Sequence, residues 1–66
     1  MQIYLNGEEK QIPANLDMAG LIGLLELTGQ RIAVEVNEEL VPRSGFEGHP
    51  IKANDRVEII HAVGGG

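Results

Sequence analysis

Residues 2–12 read QIYLNGEEKQI, from Gln2 through Asn6-Gly7 to Ile12. Polar and apolar residues alternate at the start, so Ile3 and Leu5 share one face of a strand and Tyr4 takes the other. Asn6 and Gly7 both tolerate the positive φ that a two-residue hairpin turn demands. Residues 9–12 supply the return strand. Pro13, which has no N–H to give to a ladder, suits the end of that strand. The chain thus opens on a β-hairpin with one apolar face, and that face needs a cover.

The cover follows directly. Asn15 or Asp17 can cap a helix by accepting from its free N–H groups. Met18, Leu21, Ile22, Leu24 and Leu25 recur at helical spacing and give an apolar stripe. Gly20 and Gly23 each cost that helix about 1 kcal/mol relative to alanine, so packing must hold it together. Gly29 is placed to stop it. Residues 31–36 alternate again, with Ile32, Val34 and Val36 on one side. Asn37-Glu38-Glu39 turns the chain into a short return at Leu40-Val41. Residues 42–50 are loop-like, punctuated by Gly45, Gly48 and Pro50, and a brief strand is expected near Ile51. Asn54-Asp55 marks another turn, and residues 56–61 make the last strand with Val57 and Ile59 inward. The expected order is β-β-α-β-β-β. One helix cannot cover two faces, so the fold class is α+β, a sheet of four to five strands with the helix packed on one face.

Size limits what such a domain can do. Its 66 residues suffice for one domain. A domain this small buries only about 60% of the surface its unfolded chain exposes, and its net stability is about 3–5 kcal/mol. Hollowing out a ligand pocket of about 300–1,000 Å³ would consume that core, which argues against a self-contained enzyme. Cysteine is absent, so there are no disulfides, no thiolate nucleophile and no cysteine-bound zinc. That fits a reducing cytoplasm, the expected location. Ten acidic residues against five basic ones give a net charge of −5. Phosphate backbones and anionic membranes would be repelled, so no nucleic acid and no membrane is expected, and a basic protein surface is the natural complement. No signal peptide and no apolar run of membrane-spanning length is visible.

The end of the chain carries the chemistry. Gly64, Gly65 and Gly66 bury nothing and lose maximal backbone entropy if ordered. Residues 62–66 reach about 17 Å when extended. The division expected is a folded domain over residues 1–61 and a flexible glycine tail over residues 62–66. Such an arm has no Cβ atoms at its tip and could thread a narrow channel to present the α-carboxylate of Gly66 to a partner enzyme. A carboxylate is a poor electrophile and must first be activated, for example as a mixed anhydride made with ATP. The chain has no P-loop, so a separate enzyme would use the ATP and no cofactor is expected on this chain. Terminal glycines alone fit a frayed end equally well. Their position directly after the last strand of this domain favours the functional reading.

Taken together, these stretches resemble the thiamine-biosynthesis sulfur carriers, the ThiS family of ubiquitin-like β-grasp proteins. The resemblance covers Met1-Gln2-Ile3 with Asn6-Gly7, the run Val36-Asn37-Glu38-Glu39-Leu40-Val41-Pro42-Arg43-Ser44, the stretch from Asn54 to Ile60, and Val63-Gly64-Gly65-Gly66. Phe46 stands where the family often has tryptophan, and Asn54 where glycine is common. The resemblance implies that Gly66 is adenylated by an E1-like adenylyltransferase of ThiF type. Sulfur originating in a cysteine desulfurase then makes a thiocarboxylate, which a ThiG-type thiazole synthase consumes. It implies a carrier rather than an enzyme, a monomer when free. The small subunit of molybdopterin synthase shares the fold and the Gly-Gly end, but it is usually longer and fits the central run less well. Sulfur carriage for cysteine or tRNA thiolation and ubiquitin-like protein modification are further alternatives; a modifier would form stable conjugates.

The remaining side chains fit structural roles. His49 and His61 lack a spaced second ligand and make no metal site. Ser44 has no adjacent histidine and aspartate, Glu38-Glu39 reads as a solvated turn, and Arg43 is expected to pair with a nearby carboxylate. If Ile3, Leu5, Val57 and Ile59 point inward, then Tyr4, Ile60 and Ala62 lie on the other sheet face. With Val63 they make the expected partner-binding surface.

Overall fold

The computed structural model describes residues 1–62. β1 (Gln2–Leu5) and β2 (Glu8–Gln11) form the opening hairpin, with α1 (Met18–Leu24) next. β3 (Ile32–Val36), β4 (Glu39–Val41) and β5 (Arg56–His61) follow, with a 3₁₀ turn at Arg43–Gly45 between the last two. All five strands join one sheet in the order β2-β1-β5-β3-β4. The first and last strands, β1 and β5, lie side by side and parallel at its centre, while every other pairing is antiparallel. This is the β-grasp arrangement.

Both hairpins turn on an asparagine. Asn6 and Gly7 have φ of 50° and 84°, Asn37 and Glu38 of 52° and 71°, so each two-residue turn has the positive φ values of type I′. Both asparagines also reach β5. The Asn6 side-chain oxygen accepts from the Ile59 N–H at 2.9 Å, and that of Asn37 from the Arg56 N–H at 3.0 Å. Asn37 Nδ2 donates to Asp55 at 3.0 Å, whose other oxygen accepts from the Lys52 N–H at 2.8 Å. Those bonds satisfy Asp55, the buried charged residue among the described ones.

The core lies between the sheet and α1. Ile3, Val34 and Val57 project from three adjacent strands onto Met18 and Leu21, all fully buried. Phe46 and Ile51 close it from the long loop, so phenylalanine does fill a core site there. Asp17, rather than Asn15, caps the helix: its side chain accepts from the Gly20 N–H at 2.7 Å. Asn54 has a φ of 69°, a conformation asparagine shares with glycine.

Three expectations change in detail. Leu24 is half-exposed rather than part of the apolar stripe. At about 100° per residue it lies roughly a third of a turn away from the line of Met18, Leu21, Ile22 and Leu25. The helix ends at Leu24, before Gly29, because Glu26 already takes a left-handed φ of 60° and the Leu27 N–H returns to the Ile22 carbonyl at 2.9 Å. The brief strand near Ile51 reduces to one bridge, Pro50 against Asp17, because proline offers no N–H to extend a ladder.

Candidate functional site

The outer face of the sheet, opposite α1, follows from the register. Tyr4 sits between Glu9 on β2 and Arg56 on β5. Two residues beyond Arg56, Glu58 lies opposite Glu35 on β3, which in turn lies opposite Leu40 on β4. Two residues further, Ile60 lies opposite Ala33. Ile60 is 57% exposed and Leu40 67%, while Tyr4 is half-buried.

Of the residues singled out for partner binding, Tyr4 and Ile60 therefore share this face but do not touch. Ile60 is four residues along β5 from the position beside Tyr4, about 13 Å away. Ala62 follows β5, exposed, with its N–H still donating to the Arg31 carbonyl at 3.0 Å. The β3–β5 ladder thus holds the chain one residue beyond the strand. Val63, Gly64, Gly65 and Gly66 lie outside the described residues. β5 itself ends at the Ile60 end of the outer face, away from Tyr4.

Leu40 is a surface residue that the sequence pattern does not single out, because the alternation around it is short and Val41, its neighbour, is the buried one. Only the pairing of Leu40 with Glu35 puts it on the same face as Ile60. The available signal was the parity of the Asn37-Glu38 turn: in a two-residue hairpin, residues equidistant from the turn share a face.

Elsewhere the candidate side chains are structural. Among the described residues Arg43 makes no carboxylate pair; its Nη2 donates to the Gln30 carbonyl at 2.7 Å. The 3₁₀ turn after Pro42 brings it against the end of the 27–30 loop, where a free carbonyl is the near acceptor. His61 Nε2 lies 3.2 Å from Gln30 Oε1, and the His49 carbonyl accepts from the Met18 N–H at 2.9 Å. Glu38 and Glu39 are exposed, and Glu38 lies 4.0 Å from Arg56 in a solvated ion pair worth about 0–1 kcal/mol. Asp17 has its carboxyl held below the usual aspartate value by the Gly48 N–H and then the Gly20 N–H, a capping effect. Among the described residues no three histidine, aspartate or glutamate side chains gather as a metal site. No helix is long and apolar enough to cross a membrane. A shallow groove of about 480 Å³ on the outer face, between Tyr4, Gly7, Glu38 and Glu58, stays open to solvent and holds no nucleophile–base pair.

A single helix on one face of a five-stranded mixed sheet, with its first and last strands parallel at the centre, defines the class: a small ubiquitin-like β-grasp domain. The ThiS family model matches residues 3–66, nearly the whole chain, and the chain belongs to the ThiS family. The crystal structure of the thiamine biosynthesis protein ThiS of Geobacter metallireducens superposes with a TM-score of 0.87 at 28% identity, both chains covered in full. Over all 66 residues the chain is 35% identical to a thiazole synthase of Paramagnetospirillum magneticum and 38% identical to the uncharacterized protein ycf40 of Porphyra purpurea. It spans 93% of the ycf40 protein but only 20% of that thiazole synthase, and 20% of a second one from Magnetococcus marinus.

Proposed function

We propose that this chain is a sulfur carrier for thiamine biosynthesis, itself a substrate and donor rather than an enzyme. The observation that carries the reading is the match of the ThiS family across residues 3–66, glycine tail included. The thiazole synthases add to it. A stretch like this whole chain occupies one fifth of each of them, which favours a thiazole synthase as the protein that receives the sulfur.

The chemistry belongs to Gly66. Its carboxylate attacks the α-phosphorus of ATP on an E1-like enzyme and pyrophosphate leaves, giving an acyl-adenylate. Hydrosulfide, or the terminal sulfur of a desulfurase-derived persulfide donor, adds to the carbonyl carbon, and AMP departs with the bonding electron pair; where the donor is a persulfide, a thiol then breaks the remaining S–S bond and leaves as the mixed disulfide. The thiocarboxylate so formed hands its sulfur to thiazole synthase. The domain contributes position: β5 runs through the middle of the sheet and delivers the tail at one end of the outer face. A side-chain-free arm then reaches a channel that the domain itself cannot enter.

The test is intact-mass spectrometry after incubation with an E1-like enzyme from the same genome, ATP, Mg²⁺ and a sulfide source. The mass should rise by the difference between one sulfur and one oxygen atom, and the gain should map to the C-terminal peptide. Deleting Gly66 should cut turnover sharply, since the arm then stops about 3.5 Å short. A gain elsewhere in the chain, or none, refutes the thiocarboxylate. Stable conjugates to other proteins would make the chain a modifier instead.

A further inference from the structure

Asn6, Asn15, Asn37 and Asn54 are the asparagines of the chain, and all take positive φ, from 50° to 69°. Two of them do the same job at the tips of the two hairpins. Asn6 Oδ1 accepts from the Ile59 N–H at 2.9 Å, and Asn37 Oδ1 from the Arg56 N–H at 3.0 Å. They differ in the residue that follows. Asn15, Asn37 and Asn54 precede Leu16, Glu38 and Asp55, each with a side chain beside its own backbone nitrogen. Asn6 precedes Gly7, where even an added Cβ would meet nothing within 4 Å. Asn6 and Gly7 are both exposed, and the Gly7 N–H has no backbone acceptor among the described residues.

A backbone nitrogen this open can attack the carboxamide before it. The Gly7 nitrogen gives its proton to hydroxide and bonds to Asn6 Cγ. The Cγ–Nδ2 bond breaks, and the departing nitrogen takes a proton from water and leaves as ammonia, closing a five-membered imide. Water then adds to one of the two imide carbonyls. The bond from that carbon to the Gly7 nitrogen breaks, and the nitrogen recovers a proton. Breakage at Cγ leaves aspartate. Breakage at the Asn6 carbonyl carbon leaves isoaspartate, whose main chain runs through Cβ and Cγ and is one atom longer. In sum, one water is taken up and one ammonia released, with no change of oxidation state.

The folded chain holds this reaction back. Ring closure turns the carboxamide onto the Gly7 nitrogen, so Asn6 Oδ1 must first let go of β5, and the reaction draws on the opened hairpin. Its two products differ in consequence. Aspartate keeps an oxygen for the Ile59 N–H. Isoaspartate inserts an atom into a two-residue turn whose φ values of 50° and 84° suit the twist of β1 and β2, and it moves the carboxylate to another point of the main chain. We propose that Asn6 is a spontaneous modification site: the Asn6-Gly7 turn converts to aspartate and isoaspartate when the hairpin opens, and the isoaspartate form loses the clamp on β5. The equivalent clamp at Asn37, followed by Glu38, is the durable one.

The experiment holds the wild type at mildly alkaline pH, folded and in concentrated urea, and follows tryptic peptides by mass spectrometry. Asn6→Asp marks the aspartate product, and the isoaspartate form is isolated by chromatography and refolded. In urea, the mass gain of a hydroxyl replacing an amino group should appear in the peptide ending at Lys10 well before the peptides that hold Asn15, Asn37 and Asn54. In the folded chain the same gain should come about tenfold or more slowly. Asn6→Asp should melt within a few degrees of the wild type, and the isoaspartate form about 5–15 °C lower. Modification of another asparagine as early as Asn6, or none at Asn6, overturns the site. Equal rates folded and in urea overturn the clamp's protection. An isoaspartate form that melts with the wild type, or an Asn6→Asp chain that melts as low as that form, overturns the consequence for β5.

Discussion

Asn37 is the residue where one substitution should separate backbone from side-chain stabilisation. It holds a φ of 52°, donates to Asp55 at 3.0 Å and accepts from the Arg56 N–H at 3.0 Å. Asn37→Ala removes both bonds and puts a methyl group on a left-handed backbone. The bond to the buried Asp55 carboxylate is worth about 1–1.5 kcal/mol. That to the Arg56 N–H, which water can replace, is worth about 0.5 kcal/mol. The left-handed backbone adds about 1 kcal/mol for alanine and nothing for glycine. The losses come to about 2.5–3 kcal/mol for Asn37→Ala and about 1.5–2 kcal/mol for Asn37→Gly.

Against a total stability of about 3–5 kcal/mol, the alanine variant keeps a thin margin. At about 4–8 °C per kcal/mol for a domain this small, it should melt roughly 12–20 °C below the wild type, and the glycine variant roughly half to two-thirds as far below. Urea titrations of the three proteins, followed by far-UV circular dichroism with a common slope, give the free energies directly. Alanine and glycine variants equal within about 0.3 kcal/mol would refute the backbone part of the argument. A loss below about 1 kcal/mol in both would refute the network through Asp55.

Three further outcomes follow from the same geometry. Asp17→Asn should flatten the acid limb of stability: the Asp17 carboxyl is held below its ordinary value of 3.8 by N–H donors, so its contribution is present above that value and lost as pH falls through the folded one. Thermal melts at intervals from about pH 6 to pH 3 should therefore show the wild type falling more steeply than the variant. Gly23→Ala should gain about 0.5–1 kcal/mol, because a Cβ there meets only Thr28 Oγ1 at 3.9 Å, whereas at Gly20 it would come within 2.6 Å of Leu16 Cδ1 and the Gly20→Ala gain should shrink or vanish in the same chemical melts. A chain ended at Ala62 should melt within a few degrees of the full one by calorimetry, since the core and the ladder bond from the Ala62 N–H lie within the described residues 1–62.

How far the fold could be read from the chain depended on the range of the signal. The Asn6-Gly7 hairpin, the alternation at Ile32, Val34 and Val36, and the inward pair Val57 and Ile59 are local patterns, and each matches the sheet. What could not be read was set by distant partners. Asp55 looks like an ordinary turn residue until Asn37, eighteen residues away, donates to it. Arg43 looks like one half of a surface ion pair until the 3₁₀ turn sets it on the Gln30 carbonyl. Leu24 counts toward an apolar stripe by spacing, yet the helix is too short and too rotated to bury it. For the site the division is similar. The outward parity of Tyr4 and Ile60 is local, but their separation, and the row in which Glu35 lies between Leu40 and Glu58, exist only once β3, β4 and β5 are in register.

Under the proposed carrier function, the topology would let such a small domain carry a reactive arm without risking its own stability. β5 is the last strand in the chain but the central one in the sheet, bonded to β1 on one side and β3 on the other. Asn6 and Asn37, from opposite neighbours, hold its Ile59 and Arg56 N–H groups. A pull on the tail is therefore resisted by two ladders and two side-chain clamps rather than by an edge strand, which could peel from one partner. The same placement leaves the outward residues of β5 in the middle of the exposed face, where an approaching surface meets them first. A carrier whose tail grew from β2 or β4 would present the same carboxylate from a fraying edge, with its docking residues at the rim.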